Sequence, residues 1–331
     1  MRLFQDKFSI YKKAGNPLYK TPKSVQECIE LLKIAPDGIF EAANNRYSKS
    51  YLFSDVNYNT TSETEQVGMF ESYCKFLNTM DVEFKITINN KNRNMKALRE
   101  KVLFQKKGDG NDGERGCYNQ IMEKKIVEGK QGIEQERYLT VSIIRKNYEE
   151  AKAAFASLEA VLQKGFGELG SSLAALNGVE RLRVLHDFYR MGEEEYFSFD
   201  FEEAVRVGRD YKDDICNSML KFYPTYMQDE KRFAKALFIK KYPSSLSDRF
   251  LTELATVPAH TVISIDVAPI PKDVTTSTLQ KKYMGIESDI IRQQRVRNRN
   301  NDFSSDISYS KRTEKQQIEE IMDDVRENDQ R

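Results

Sequence analysis

A strand followed at once by a well-terminated helix does most to limit the folds open to this chain. Residues 138–145 read Tyr-Leu-Thr-Val-Ser-Ile-Ile-Arg, apolar enough for a central strand. Just beyond, Asn147 and Glu150 have capping-box spacing. Tyr148, Ala151, Phe155, Leu158 and Leu162 then form an apolar seam at helical period, and Gly165 stands where a C-cap glycine would end the helix. A helix with one apolar seam lies back on the sheet that precedes it. The expected fold is therefore α+β of ferredoxin-like type, with antiparallel sheets packed with helices and no Rossmann or RecA-like domain.

Other segments extend this pattern. Val25, Ile29 and Leu32 recur at helical spacing before Pro36-Asp37-Gly38, which predicts a first helix. Strands are expected over Gly38–Ala43 and Arg46–Ser54, joined by Asn44-Asn45, since asparagine tolerates the left-handed backbone of a hairpin turn. In the second of these strands Tyr47, Tyr51 and Phe53 share a face with Lys49 while Ser48, Ser50 and Ser54 lie opposite. The alternation makes the aromatics core residues. Ser62 and Glu65 have capping-box spacing, and Val67, Phe70, Cys74 and Leu77 mark a helical stripe. A strand is expected over Val82–Asn89, then a charged, glycine-broken region to about Gln135.

A second set of elements begins near Glu195. Strands are expected at Phe197–Phe201, Arg232–Lys240 and His260–Ala268, with helices at Leu246–Ala255, from Val274 to about Arg297, and over Arg312–Glu327. The expected organisation is a basic arm (1–24), a first α+β subdomain (25–192), a second (193–300), and a polar linker with a charged terminal helix (301–331).

Charge and composition exclude some functions. Lysine and arginine total 52 against 51 acidic residues, so no global field draws the whole molecule to nucleic acid or lipid. Basic residues do concentrate before Val25, where Arg2, Lys7, Lys12, Lys13, Lys20 and Lys23 face Asp6 alone. No run is long and apolar enough for a membrane-spanning helix. Cys28, Cys74, Cys117 and Cys216 show no disulfide or zinc spacing, which fits reduced thiols in the cytoplasm.

No catalytic, cofactor-binding or metal-ligating residue is assigned. The phosphate-loop pattern Gly-x-x-x-x-Gly-Lys-Ser/Thr does not occur. Gly108–Gly113 and Gly165–Gly170 both read G-x-G-x-x-G. The first carries Asp109 and Asp112, which repel a pyrophosphate, and the second ends a helix instead of opening one. His186 and His260 lack partners at metal-ligand spacing, and no Gly-x-Ser-x-Gly elbow exists. Glu193–Glu195 and Asp213-Asp214 read as solvated acidic faces. Arg292, Arg295, Arg297 and Arg299 form the one basic cluster, without interleaved aromatics for base stacking.

An ordered series of short motifs carries a family resemblance. It comprises Ser24-Val-Gln26, Asp37-Gly-Ile39, Tyr47-Ser-Lys-Ser-Tyr51 leading to Asp55-Val-Asn-Tyr58, and Glu65-Gln66. Further on it includes Arg137-Tyr-Leu-Thr140, Lys212-Asp-Asp-Ile-Cys216, Tyr242-Pro-Ser-Ser-Leu246 with Asp248-Arg-Phe-Leu251, and Ser264-Ile-Asp-Val-Ala-Pro-Ile-Pro271. In this order the series resembles the N-terminal half of the large conjugal transfer ATPases of type IV secretion systems, over most of residues 24–310. Cys216-Asn217 departs from the Cys-Pro expected there.

The resemblance implies a family member without its RecA-like motor half in this chain, so ATP and magnesium are implied for that half alone and the chain itself is expected to be non-catalytic. It implies docking to inner-membrane channel components, self-association once the motor half is present, and a cytoplasmic position at the inner face of the cell membrane. Apolar strand edges and the basic arm are the expected contact surfaces. The alternative is a nucleic-acid-binding accessory protein of a mobile element, using Arg292–Arg299 and the N-terminal lysines.

Overall fold

The computed structural model describes residues 24–58, 60–92, 95–128, 133–216, 219–229, 232–240, 249–257, 259–299 and 309–327. The expected arm (1–24) lies outside them apart from Ser24. After a single 3-10 turn the chain enters β1 (Leu31–Ile34), β2 (Phe40–Ala42) and β3 (Arg46–Phe53). Helix α1 (Glu63–Thr79), β4 (Glu83–Asn92), α2 (Met95–Val102), α3 (Asp112–Glu128), β5 (Ile133–Ile144), α4 (Tyr148–Glu168) and β6 (Leu173–Ala175) follow. The remainder comprises α5 (Gly178–Tyr189), α6 (Phe201–Val207), α7 (Tyr211–Ile215), β7 (Lys221–Phe222), β8 (Met227–Asp229), β9 (Arg232–Ala234), α8 (Arg249–Ala255), β10 (Thr261–Val267), α9 (Lys272–Arg299) and α10 (Tyr309–Glu327). The fold is α+β with antiparallel pairing.

The chain forms two compact units, each assembled from separated segments. One takes the chain up to Lys33, Asn92–Lys130 and Val179–Phe250; the other takes Ile34–Lys91, Gln131–Gly178 and Leu251–Arg331. The contiguous division expected at 192/193 is replaced by this interleaving. β10, expected in the second subdomain, instead pairs antiparallel with β4 from Thr261↔Asn90 to Val267↔Phe84.

In the second unit the strands run β2-β3-β5-β4-β10, and β6 continues the β2 side of β3. β3 is central: it pairs with β5 from Arg46↔Ile144 to Leu52↔Tyr138, with β2 at Phe40↔Ser48, and with β6 at Tyr51↔Ala175. The tight turn between β2 and β3 follows from Asn44 and Asn45, which hold left-handed φ values of 62° and 56°. Tyr47 and Tyr51 are buried on the face covered by α4, with Leu139, Val141, Phe155 and Leu162 in the same core. Lys49 is accommodated on that face because Glu159 of α4 pairs with it at 2.8 Å. On the opposite face Ser50 bonds the Thr140 hydroxyl at 2.8 Å.

Several expected elements take other forms. Val25–Leu32 is a 3-10 turn and a strand, because Pro36 and the Asp37-Gly38 turn leave no room for further helical turns before β2. Helix α4 runs to Glu168, past Gly165, which is no C-cap. A Cβ there would meet the Phe76 ring at 2.2 Å, so glycine permits α1 to approach. The Ser62–Glu65 capping box forms, but the buried face of α1 centres on Phe76 and leaves Val67 and Phe70 exposed. The glycine-broken region contains α2 and α3, joined by an Arg99–Glu123 ion pair and by Asn119, which bonds the backbone of Phe104 at both N–H and C=O. Phe197–Phe201 is not a strand; Asp200 caps α6 instead. Of Arg232–Lys240 only Arg232–Ala234 is paired.

Candidate docking surfaces

The residues that carry the family resemblance hold joints of the scaffold. Asp37 accepts from the Ile39 N–H at 3.2 Å and from the Tyr148 hydroxyl at 2.6 Å; burial first, and then this bond, push the Tyr148 hydroxyl pKa upward. Gly38 has φ +82°, and a Cβ there would lie 2.0 Å from the Leu176 carbonyl oxygen. Asp55 accepts from Arg137 at 2.9 Å, and Gln66 donates to the Tyr58 carbonyl at 3.0 Å. In the other unit Lys212 donates to the carbonyls of Gln26 and Ile29, Gln26 donates to Asp213, and Tyr211 donates to the Leu31 carbonyl. Cys216 is buried, which pushes its thiol up to about 11. Tyr242–Leu246, Asp248 and Asn217 lie outside the described residues.

The first glycine pattern, Gly108–Gly113, is closed by its own side chains. Asp112 accepts from the N–H groups of Lys107 and Gly108, Asp109 accepts from Asn111, and Arg115 donates to both carboxylates (2.6 and 2.7 Å). The donors that a phosphate would need are thereby used internally, and these bonds hold both carboxyl groups below the ordinary range. Gly165–Gly170 lies at the end of α4. His186 is buried beside Asp187 at 3.5 Å and packs at a tilt against Phe197 (ring centroids 5.0 Å). His260 precedes β10.

Glu193 pairs with Arg190 and Arg232, Glu194 accepts from Gly192, and Glu195 from Lys96. Asp214, beside Arg209, is pushed up by burial. The four cysteines are free. Among the described residues no group of three or more His, Cys, Asp or Glu side chains is arranged to hold a metal ion.

Arg292, Arg295 and Arg299 are exposed on the last turns of α9; the Arg297 side chain lies outside the described ones. A cleft of about 770 Å³ opens beside the start of the same helix, lined by Asp81, Pro269, Pro271, Asp273 and Thr276 among others. It is shallow and carries no convergent buried polar groups.

Exposed apolar surface is the more informative feature. On α1, Val67 (53% exposed), Phe70 (61%) and Tyr73 form a stripe at three-residue steps. In the other unit the β7–β9 meander exposes Phe222 and Phe233, and Leu237 (81%) and Phe238 (85%) follow it. Sequence reasoning grouped Val67 and Phe70 with Cys74 and Leu77 in one helical stripe, of which Leu77 packs against the core while Val67 and Phe70 are exposed, and read the second region as a longer strand. The consecutive run Leu237-Phe238-Ile239 between Lys235 and Lys240 breaks strand alternation and was the available signal.

Fold and surfaces together define an α+β protein that displays apolar side chains from a helix in one unit and from a small meander in the other. No family model matches the chain, and no curated protein matches it. Among the described residues no helix is long and apolar enough to cross a membrane.

Proposed function

We propose that this chain is a non-catalytic docking and assembly region related to the conjugal transfer ATPases of type IV secretion systems, positioned peripherally at the inner face of the cell membrane. In this reading β3-α1-β4-β5-α4-β6, with strands ordered β6-β3-β5-β4, is a split βαβ core of ferredoxin-like type. The observation that carries the proposal is the exposed apolar stripe Val67–Phe70–Tyr73 on α1. Such a face fits the groove or helix of a channel component. The scaffold duties of Asp37, Asp55 and Lys212 support the same view, since motif residues that lock joints keep such a surface in a fixed shape.

The test is co-purification with reconstituted inner-membrane channel components. Association should fall at least about tenfold in Val67→Glu/Phe70→Glu, because two large side chains at the centre of a contact dominate its affinity. Hydrolysis of ATP by the purified chain at a rate sensitive to point substitutions would overturn the non-catalytic part.

The exposed Arg292, Arg295 and Arg299 favour a second reading, an accessory protein that binds nucleic acid. Its DNA binding would weaken steeply with salt and drop when these arginines become alanine.

A further inference from the structure

The β7–β9 meander and the segment after it carry more exposed apolar surface than a free protein surface requires. Register divides the sheet into two rows: Phe222, Met227 and Ala234 share one face, and Lys221, Gln228 and Phe233 the other. Phe222 and Phe233 therefore project from opposite faces, and each is about two-thirds exposed (65% and 66%). Tyr226 packs edge-on against Phe233 and stacks on Tyr223 across the hairpin turn, so the aromatic cluster sits at the tip. Leu237 and Phe238 follow with almost full exposure between Lys235 and Lys240. Over residues 219–241 the sequence holds six basic residues against two acidic ones.

A protein partner covers one face of a thin sheet and leaves the other wet. A lipid headgroup layer surrounds an inserted tip on every side, which accounts for aromatics on both rows. Tyrosines suit the headgroup level, with an apolar body and a polar tip, and lysines flanking an apolar run match an anionic surface while their stems lie along it.

We propose that the β7–β9 meander with Leu237-Phe238-Ile239 is an interfacial anchor for an anionic lipid bilayer. Phe222, Phe233, Leu237 and Phe238 enter the boundary between headgroups and acyl chains; Lys221, Lys235 and Lys240 meet the anionic headgroups. The insertion is shallow, so the strand edges remain in the polar layer, where water and headgroups satisfy their backbone groups. The inference deepens the docking reading and rests on it for the presence of a membrane beside the protein.

The test uses the full chain and sedimentation with vesicles, either phosphatidylglycerol and phosphatidylcholine in equal parts or phosphatidylcholine alone. The native chain should bind the first and bind the second at least about tenfold more weakly, with binding to the first falling as salt is added. Leu237→Ser/Phe238→Ser should lose about tenfold or more at constant charge. Lys235→Glu/Lys240→Glu should lose a comparable factor with the apolar run intact. Circular dichroism of the variants should match the native chain.

A native chain that ignores both vesicles overturns the inference, including where the same substitutions weaken capture by an acidic protein. So does equal binding to both vesicles, or anionic binding untouched by Leu237→Ser/Phe238→Ser. None of these results bears on association through Val67 and Phe70, so the docking reading is tested separately.

Discussion

The β3–β5 pair and the β7–β9 meander are built from similar residues and meet opposite fates. Tyr51, Leu139 and Phe155 are each 1% exposed, because β3 pairs with β5 along one edge and with β2 and β6 along most of the other, and α4 closes over its aromatic face. In the meander the strands are two or three residues long, and Phe222 and Phe233 stay mostly in water. Apolar side chains become core only where enough neighbouring strands and a covering helix exist. Where these are missing, the same side chains remain available to a partner.

The largest test of this contrast compares one substitution in each region. Phe155→Ala should cost about 3–5 kcal/mol, the range for truncating a buried aromatic. Phe238→Ser should stay within about 0.5 kcal/mol, as for exposed sites. Urea unfolding followed by circular dichroism would measure both, and a comparable loss from each would erase the distinction between core and displayed surface.

Two glycines sharpen the core side. Gly38→Ala should cost about 2 kcal/mol or more, since it combines a left-handed backbone with a contact on the Leu176 carbonyl. Gly165→Ala should cost about 1–3 kcal/mol, although alanine is the better helix former by about 1 kcal/mol. The reason is the Phe76 ring, which is itself wedged against Phe166 at 5.3 Å. Thermal melts decide the sign, and a stabilised Gly165→Ala would mean that α1 does not approach α4 as described.

A smaller effect is expected at the α9–α10 hairpin. Lys311 holds Asp289 at 2.8 Å and lowers its pKa from the ordinary 3.8. The bonds of Lys315 to Tyr283 and Glu287 raise its own pKa from 10.5. The stabilisation from Asp289 is complete above 3.8 and is lost as pH falls further. That from Lys315 is complete below 10.5 and is lost as pH rises through its raised value. These groups are exposed, so the contribution is modest and screened by salt. Thermal melts should show a slightly larger loss of stability below pH 3.8 in the native chain than in Asp289→Asn, and added salt should shrink the difference.

The smallest effect is chemical. Cys117 is exposed and should react with a thiol reagent at pH 8, whereas Cys216, buried and pushed up to about 11, should react only on unfolding.

What could be read from the sequence was local. Ser62 with Glu65, Asn147 with Glu150, and Asn44-Asn45 work through neighbours within a few positions, and all three appear where expected. Helix α3 was missed because its apolar residues follow no clear period; it contains Gly113 and Gly116 and is secured by the Arg115–Asp112 pair. Helix α2 was missed although Met95, Leu98 and Val102 recur at helical spacing, because it is only eight residues long within a charged stretch. The exposure of Val67 and Phe70 could not be read from their helical spacing with Cys74 and Leu77, because only the position of the sheet and of Gly165 decides which part of α1 is buried. The meander surface was missed because burial depends on how many strands are adjacent, which no single segment encodes.

The central claim is that apolar side chains left outside the core serve association. The most direct measurement replaces Phe70 with a photo-crosslinking residue in cells that carry a type IV secretion channel, and identifies the adduct by mass. The account predicts an adduct with an inner-membrane channel component, lost in the Val67→Glu background. Absence of any protein adduct from position 70, with adducts to DNA from positions 292 and 295 instead, would contradict it.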